Sequence, residues 1–136
     1  MTDHWLHEYP LRVQFDEVDQ YGIVHHSKYF IYMERARVDL LATLQKRGGG
    51  MPLDFTLIVV SAEIKYRSPA RFLDEVVVEQ SVHKMGASKL QLQYRIRRGD
   101  ELLVEALLVL AFINADGRPV RAPEILREAL SFVGGA

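Results

Sequence analysis

The sequence predicts an α+β layer domain in which one long helix is held by a curled antiparallel sheet. Three observations carry this. Residues 27–46 keep a helical hydrophobic period with no Gly or Pro inside it. Four strand-like runs, separated by short turns, follow that helix. The chain has 136 residues, the size of one domain with one core, so these elements must pack on each other.

Leu11-Arg12-Val13-Gln14-Phe15-Asp16 alternates apolar and polar residues, as a strand with one wet face does. The acidic stretch from Asp16 to Tyr21 breaks the pattern, and Gly22 marks a turn. Ser27 is placed to cap the helix, whose residues Phe30, Met33, Leu40, Leu41 and Leu44 recur on one side; Gly48-Gly49-Gly50 and Pro52 stop it. Tyr29, Ile31, Tyr32 and Val38 spread the apolar character beyond one stripe, so the helix is expected to be enclosed. Val60–Tyr66, Glu75–His83 and Leu90–Ile96 are the next strands, closed by Ser68-Pro69, Met85-Gly86-Ala87-Ser88 and Arg98-Gly99-Asp100. Leu102–Ile113 is apolar on both faces apart from Glu105, which suits a strand inside the sheet with both sides covered. After the turn Asp116-Gly117-Arg118-Pro119, Pro123 opens a short helix ending near Phe132. Closing a core around one long helix requires the sheet to curl, and the free sheet edge that results calls for a self-associating dimer.

Composition excludes several functions. Apolar residues at 49% and charged residues at 26% describe an ordinary globular chain rather than a disordered one. The chain has no cysteine, which removes Cys nucleophiles, redox motifs and Cys-rich zinc sites. Seventeen Lys and Arg against eighteen Asp and Glu leave a charge of −1, no funnel for nucleic acid or anionic membranes. The longest apolar run, Ala106–Ile113, is far shorter than the ~20 residues of a membrane span. Residues 1–10 lack the basic and apolar regions of a signal peptide, so a cytoplasmic location is expected.

One segment concentrates chemistry. From Asp16 to Tyr29, three carboxylates, two adjacent histidines and a glycine stand between a strand end and a helix start. The first N–H groups of a helix lack intrahelical partners and carry its positive end, so they stabilise a developing oxyanion. An acid upstream, held by the Gly22 turn, can face the same carbonyl, which is the pairing that acyl transfer requires. The plainer reading is that Asp19 only caps a turn. His25 and His26, as helical neighbours, diverge too far to share a metal ion easily, and no metal site is expected.

This segment resembles the signature of hotdog-fold thioesterases of the 4-hydroxybenzoyl-CoA thioesterase and YbgC-like type. The matching residues are Glu17-Val18-Asp19-Gln20-Tyr21-Gly22-Ile23-Val24-His25-His26, then Tyr29 and Glu34-Arg35-Ala36-Arg37. Weaker echoes are Tyr66-Arg67-Ser68-Pro69-Ala70, Gly86-Ala87-Ser88 and Gly117-Arg118-Pro119. The resemblance implies a single hotdog domain over residues 1–136, one long central helix wrapped by five antiparallel strands. It implies an acyl-CoA thioesterase in which Asp19 is the essential carboxylate, either nucleophile or general base. It makes His26 the helix-start residue whose N–H polarises the thioester carbonyl, with a ring able to orient the carboxylate or water. Gly22 is the turn, and Tyr29 is a pocket aromatic or a plain core residue. Tyr21 stands where a small residue is usual and is expected to narrow the pocket mouth; Phe55 and Met51 are further candidates for shaping it. The role of His25, at a common aromatic position, is open. Glu34 is read as a structural partner of Arg35 or Arg37.

The resemblance further implies a homo-oligomer, dimer or dimer of dimers, with the pocket between subunits. No cofactor is expected, coenzyme A being part of the substrate. Lys89 and Arg118 are candidates by position for the CoA phosphates, among Lys84, Arg95, Arg97, Arg98 and Arg121. A mainly apolar pocket is expected, suited to short or medium aliphatic or aromatic acyl groups. A non-catalytic acyl-thioester-binding or assembly protein, or a thioesterase acting on acyl-carrier protein, are the alternatives on the same fold.

Overall fold

The computed structural model describes residues 7–47 and 55–133. The elements in chain order are β1 (His7–Arg12), a 3-10 turn (Phe15–Glu17), α1 (Lys28–Arg47), β2 (Thr56–Tyr66), β3 (Glu75–Met85), β4 (Lys89–Arg98), β5 (Glu101–Ile113) and α2 (Glu124–Val133). The strands form one antiparallel sheet in the order β1-β3-β4-β5-β2. β3, β4 and β5 are successive hairpins, and Gly99 takes a left-handed φ of 59° in the β4–β5 turn, where a side chain is strained. β1 and β2 are the two edges. Pro10 is tolerated in β1 because an edge strand has one side free of the ladder.

The strand expected at Leu11–Asp16 lies four residues earlier. Pairing decides this: Arg12 meets Glu75, the first residue of β3, so the ladder ends there. The Val13 N–H then goes to the Asp74 carbonyl at 2.9 Å, and Phe15–Glu17 winds into the 3-10 turn.

α1 lays Tyr29, Tyr32, Met33, Ala36, Leu40 and Leu44 against the sheet, each buried. Val76, Val78, Leu92, Ile96, Leu108, Leu110 and Phe112 complete the core, and Leu126 and Leu130 of α2 join it. Each of the larger aliphatic or aromatic side chains in this layer contributes about 1.5–3 kcal/mol of transfer free energy. The enclosure expected for α1 is not found within one chain. Phe30, Ile31 and Val38 are 42%, 38% and 61% exposed. One sheet face can cover only the stripe turned toward it, so the second apolar stripe of α1 has no layer to bury it. Likewise β5 lies inside the sheet as expected, but on its outer face Leu107 and Val109 are only half-buried.

The Ser27 hydroxyl lies 2.8 Å from Nδ1 of the His25 ring. Gly48–Gly50 and Pro52 lie outside the described residues. Among the described residues no helix is long and apolar enough to cross a membrane.

Candidate active site

The segment between β1 and α1 folds back on itself. Val18 and Val24 pair as an antiparallel bridge, and the Asp19 N–H donates to the Ile23 carbonyl at 2.9 Å. The Gly22 N–H donates to the Asp19 carbonyl at 2.9 Å, closing a turn that Gly22 makes with φ +74°. Asp19 Oδ1 accepts the Tyr21 N–H at 2.8 Å and the Ile23 N–H at 3.3 Å. The turn-capping reading of Asp19 is therefore true of one oxygen; Oδ2 takes no part in these bonds.

A second layer of hydrogen bonds ties this turn to the β2–β3 connection. The Val24 N–H reaches the Ala70 carbonyl at 2.9 Å, and the Phe72 N–H reaches the Gly22 carbonyl at 3.2 Å. From α1, the buried Tyr29 hydroxyl accepts the Ala70 N–H at 3.1 Å. Burial pushes the pKa of that hydroxyl up, so it stays neutral.

Between these pieces opens a cleft of about 340 Å³. Asp19, His25 and His26 border it on one side, Tyr29 and Tyr66 on another, with Arg67, Ser68 and Pro69 supplied by the end of β2. Asp19 and both histidines are exposed in the single chain. The two imidazoles stack with centroids 4.2 Å apart and 30° between planes. The Ser27 N–H lies 3.3 Å from His25 Nδ1. With Nδ1 accepting, the neutral His25 ring carries its proton on Nε2. α1 begins at Lys28, so His26 stands two residues before its first turn, and the Lys28 N–H donates to the His25 carbonyl at 2.9 Å.

The structure thus brings Asp19, Gly22, His26 and Tyr29 together. It keeps Lys89, Arg118 and the side chain of Tyr21 apart from them. Tyr21 is 73% exposed and does not line the cleft, because the tight turn throws its side chain outward. Lys89 pairs with Ala111 on β5, and the Arg118 carbonyl accepts the Asn114 N–H at 3.0 Å. The cleft instead abuts Leu103, whose carbonyl accepts the Arg67 N–H at 2.8 Å. From Leu103 to Ala111 a strand runs roughly 26 Å, so Lys89 and Arg118 sit at the far end of the sheet from Asp19 of their own chain.

Three of the other expected cations are engaged. Arg95 and Arg97 approach Glu79 at 3.3 and 3.0 Å, and Arg98 binds Asp74 and Glu101. Phe55 packs on Phe112 with centroids 5.4 Å apart, at the end of β5 away from the cleft of its own chain, which it does not line. Met51 lies outside the described residues. Glu34 is exposed and is not the partner expected for its neighbours: Arg35 pairs with Glu17 at 3.3 Å, and Arg37 donates to the Tyr94 hydroxyl at 3.1 Å.

Sequence reasoning gave no separate role to Glu17 and no pocket role to Tyr66 or Arg67. Signals were present. Glu17 follows Gln14 by three residues, the spacing of a capping box, and Tyr66–Ala70 was one of the weak echoes. Among the described residues, no group of three or more His, Asp or Glu side chains is arranged to hold a metal ion.

This arrangement, a carboxylate and a helix start around one cleft on an α+β sheet, defines a class. The chain belongs to the thioesterase-like superfamily, whose family model matches residues 13–130, and within it to the hotdog-fold, YbgC-like thioester hydrolases. It is similar to the acyl-CoA thioesterase YbgC of Haemophilus influenzae, 26% identical over 124 residues, covering 89% of this chain and 91% of that protein. It is also similar to a chloroplastic acyl-acyl carrier protein thioesterase, ATL3, of Arabidopsis thaliana, 26% identical over 90% of this chain and 66% of that one. Among solved structures, a thioesterase from Thermus thermophilus complexed with coenzyme A and Zn superposes with a TM-score of 0.83 at 25% identity, covering 99% of this chain and 98% of that one.

Proposed function

We propose that this protein hydrolyses acyl-CoA thioesters to the free acid and coenzyme A, with Asp19 as the reacting carboxylate. The observation that carries the reading is the shared cleft: Asp19 and the residues leading into α1 border one space, with His26 between them. In the general-base route, Asp19 takes a proton from water as the water oxygen bonds to the thioester carbon. The carbonyl oxygen gains charge beside the helix start, and the C–S bond then breaks as the thiolate leaves and takes up a proton. In the nucleophilic route a carboxylate oxygen of Asp19 bonds to that carbon first and the C–S bond breaks, expelling the thiolate, which takes up a proton; water then cleaves the resulting anhydride to the free acid and the Asp19 carboxylate. Neither route calls for a cofactor or a metal ion.

The reading includes a second copy of the chain. β2 is a sheet edge whose Ile58, Val59 and Val60 are 40%, 43% and 47% exposed, an apolar edge that invites pairing. In this register Tyr66 lies beside Val104, and Thr56 beside Ile113. Two β2 edges joined antiparallel about a two-fold axis set the Tyr66 end of one copy beside the Thr56 end of the other. Lys89 and Arg118 of the second copy then approach the cleft that holds Asp19, which their own chain's copies cannot reach. Cations at that mouth suit the phosphates of coenzyme A. Tyr29, Tyr66, Ile23 and Pro69 make the cleft largely apolar and aromatic, which suits a short or medium aliphatic or an aromatic acyl group.

Release of free thiol from a panel of acyl-CoAs tests the reading, with the same acyl groups on acyl-carrier protein beside them. Turnover of the CoA esters is expected. Preference for the carrier-protein esters transfers the assignment to the activity named for the plant relative. Saturable binding of every ester with no thiol released marks a non-catalytic acyl-binding protein.

A further inference from the structure

Glu17 is 4% exposed, and its carboxylate meets only hydrogen-bond donors. Oε1 accepts the Gln14 N–H at 2.7 Å and the Tyr32 hydroxyl at 2.9 Å, while Oε2 accepts Arg35 Nη1 at 3.3 Å. The Glu17 carbonyl accepts the His25 N–H at 3.1 Å. One residue therefore joins the incoming chain, the buried Tyr32 and the half-exposed Arg35 of α1, and the outgoing limb of the turn that carries Asp19.

The turn alone does not account for a charge here. A glutamine at this position would complete the capping box with Gln14 equally well. Burying a carboxylate is costly before its partners compensate, and Tyr32 gives up solvent as well, its hydroxyl pKa raised by burial and by Glu17. With donors on both oxygens, an amide would turn its NH2 against one of them. What the charge adds is a fixed tie between the Asp19 turn and the body of the helix whose start faces the cleft. The two parts of an acyl-transfer site come from different segments, and their separation decides the rate.

We propose that Glu17 is a positioning residue, clamped by Tyr32 and Arg35, that holds the Asp19 turn in register with the start of α1. This rests on the reading of Asp19 given above. The test is steady-state thioesterase kinetics of the full-length protein carrying Glu17→Gln, Tyr32→Phe or both, beside Asp19→Asn, with melting temperature measured on each. Glu17→Gln is expected to fold and to lose about 10- to 100-fold in kcat, with KM within about threefold of wild type. Tyr32→Phe should lower kcat less, and the double variant should be no slower than Glu17→Gln alone, since both cut one tie. A lowered melting temperature with wild-type kcat in Glu17→Gln overturns the proposal and leaves a structural role. If Glu17→Gln does not fold, Tyr32→Phe decides: reduced kcat at unchanged KM supports the proposal, and wild-type kcat overturns it. Asp19→Asn separates the two readings, because full turnover there removes the assignment of Asp19, whereas loss there with none in the Glu17 and Tyr32 variants removes only the proposal.

Discussion

The Tyr29 hydroxyl accepts the N–H of Ala70, forty-one residues away in sequence, at 3.1 Å. Both residues are buried, so this bond closes the floor of the cleft by tying the first turn of α1 to the β2–β3 connection. Tyr29→Phe keeps the ring but leaves a buried N–H without its acceptor, at a cost of about 1–3 kcal/mol. Urea denaturation should show that loss at an unchanged m-value; an unchanged midpoint would mean that the Ala70 N–H finds water instead.

Gly22 has φ +74°, and a Cβ placed on it meets no atom within 4 Å. Gly22→Ala is therefore strained by its backbone and not by a clash, costing about 1–2 kcal/mol. Because Asp19 Oδ1 is bonded to N–H groups on both sides of Gly22, the variant should lose activity beyond its loss of stability. Thiol release at a temperature where the variant is fully folded measures this, and wild-type turnover there would show that the turn tolerates the change.

Val60 falls where the β2–β5 register shifts and is 47% exposed, so a lysine there leaves the ladder to β5 intact. On a pairing edge, however, it buries a charge. Light scattering on Val60→Lys should show a smaller species than wild type, with turnover falling in parallel as Lys89 and Arg118 of the second copy depart. A wild-type protein that is monomeric and fully active would contradict the two-copy site.

Tyr29, Tyr32 and Tyr94 all have hydroxyl pKa values raised chiefly by burial. The unfolded chain releases these protons near the ordinary tyrosine value of 10.0, while the folded chain holds them to higher pH. Their contribution to stability is thus complete below that value and declines as pH rises through and beyond it. Of the six tyrosines, these three should ionise only with alkaline unfolding, followed by tyrosinate absorbance alongside circular dichroism. Ionisation of all six while the fold persists would contradict this burial.

Local signals were legible and distant ones were not. The three hairpin strands, the long helix and the short C-terminal helix follow from periodicity and turn residues, because those act over a few positions. The Asp19–Gly22–His26 loop was legible for the same reason. The end of β1 was not, since Glu75, sixty-three residues away, ends its ladder at Arg12. The apolar breadth of α1 was visible, but whether one chain covers Ile31 and Val38 depends on how many layers the fold possesses. Lys89 and Arg118 were candidates by position, but the end of the sheet they occupy follows from the β4–β5 register and the Ile113–Pro119 bridge, which pairing across the fold decides. Arg35 lies beside Glu34 in sequence, yet its partner is Glu17, which only the packing of the loop on the helix reveals.

Turnover of an acyl-CoA by Asp19→Asn, compared with wild type, addresses the central claim most directly. The substitution keeps the oxygen that holds the Tyr21 and Ile23 N–H groups, so the variant should fold and bind the ester. It should release thiol at least about 100-fold more slowly, the scale of losing a general base or nucleophile. Equal rates in the two proteins would contradict the account.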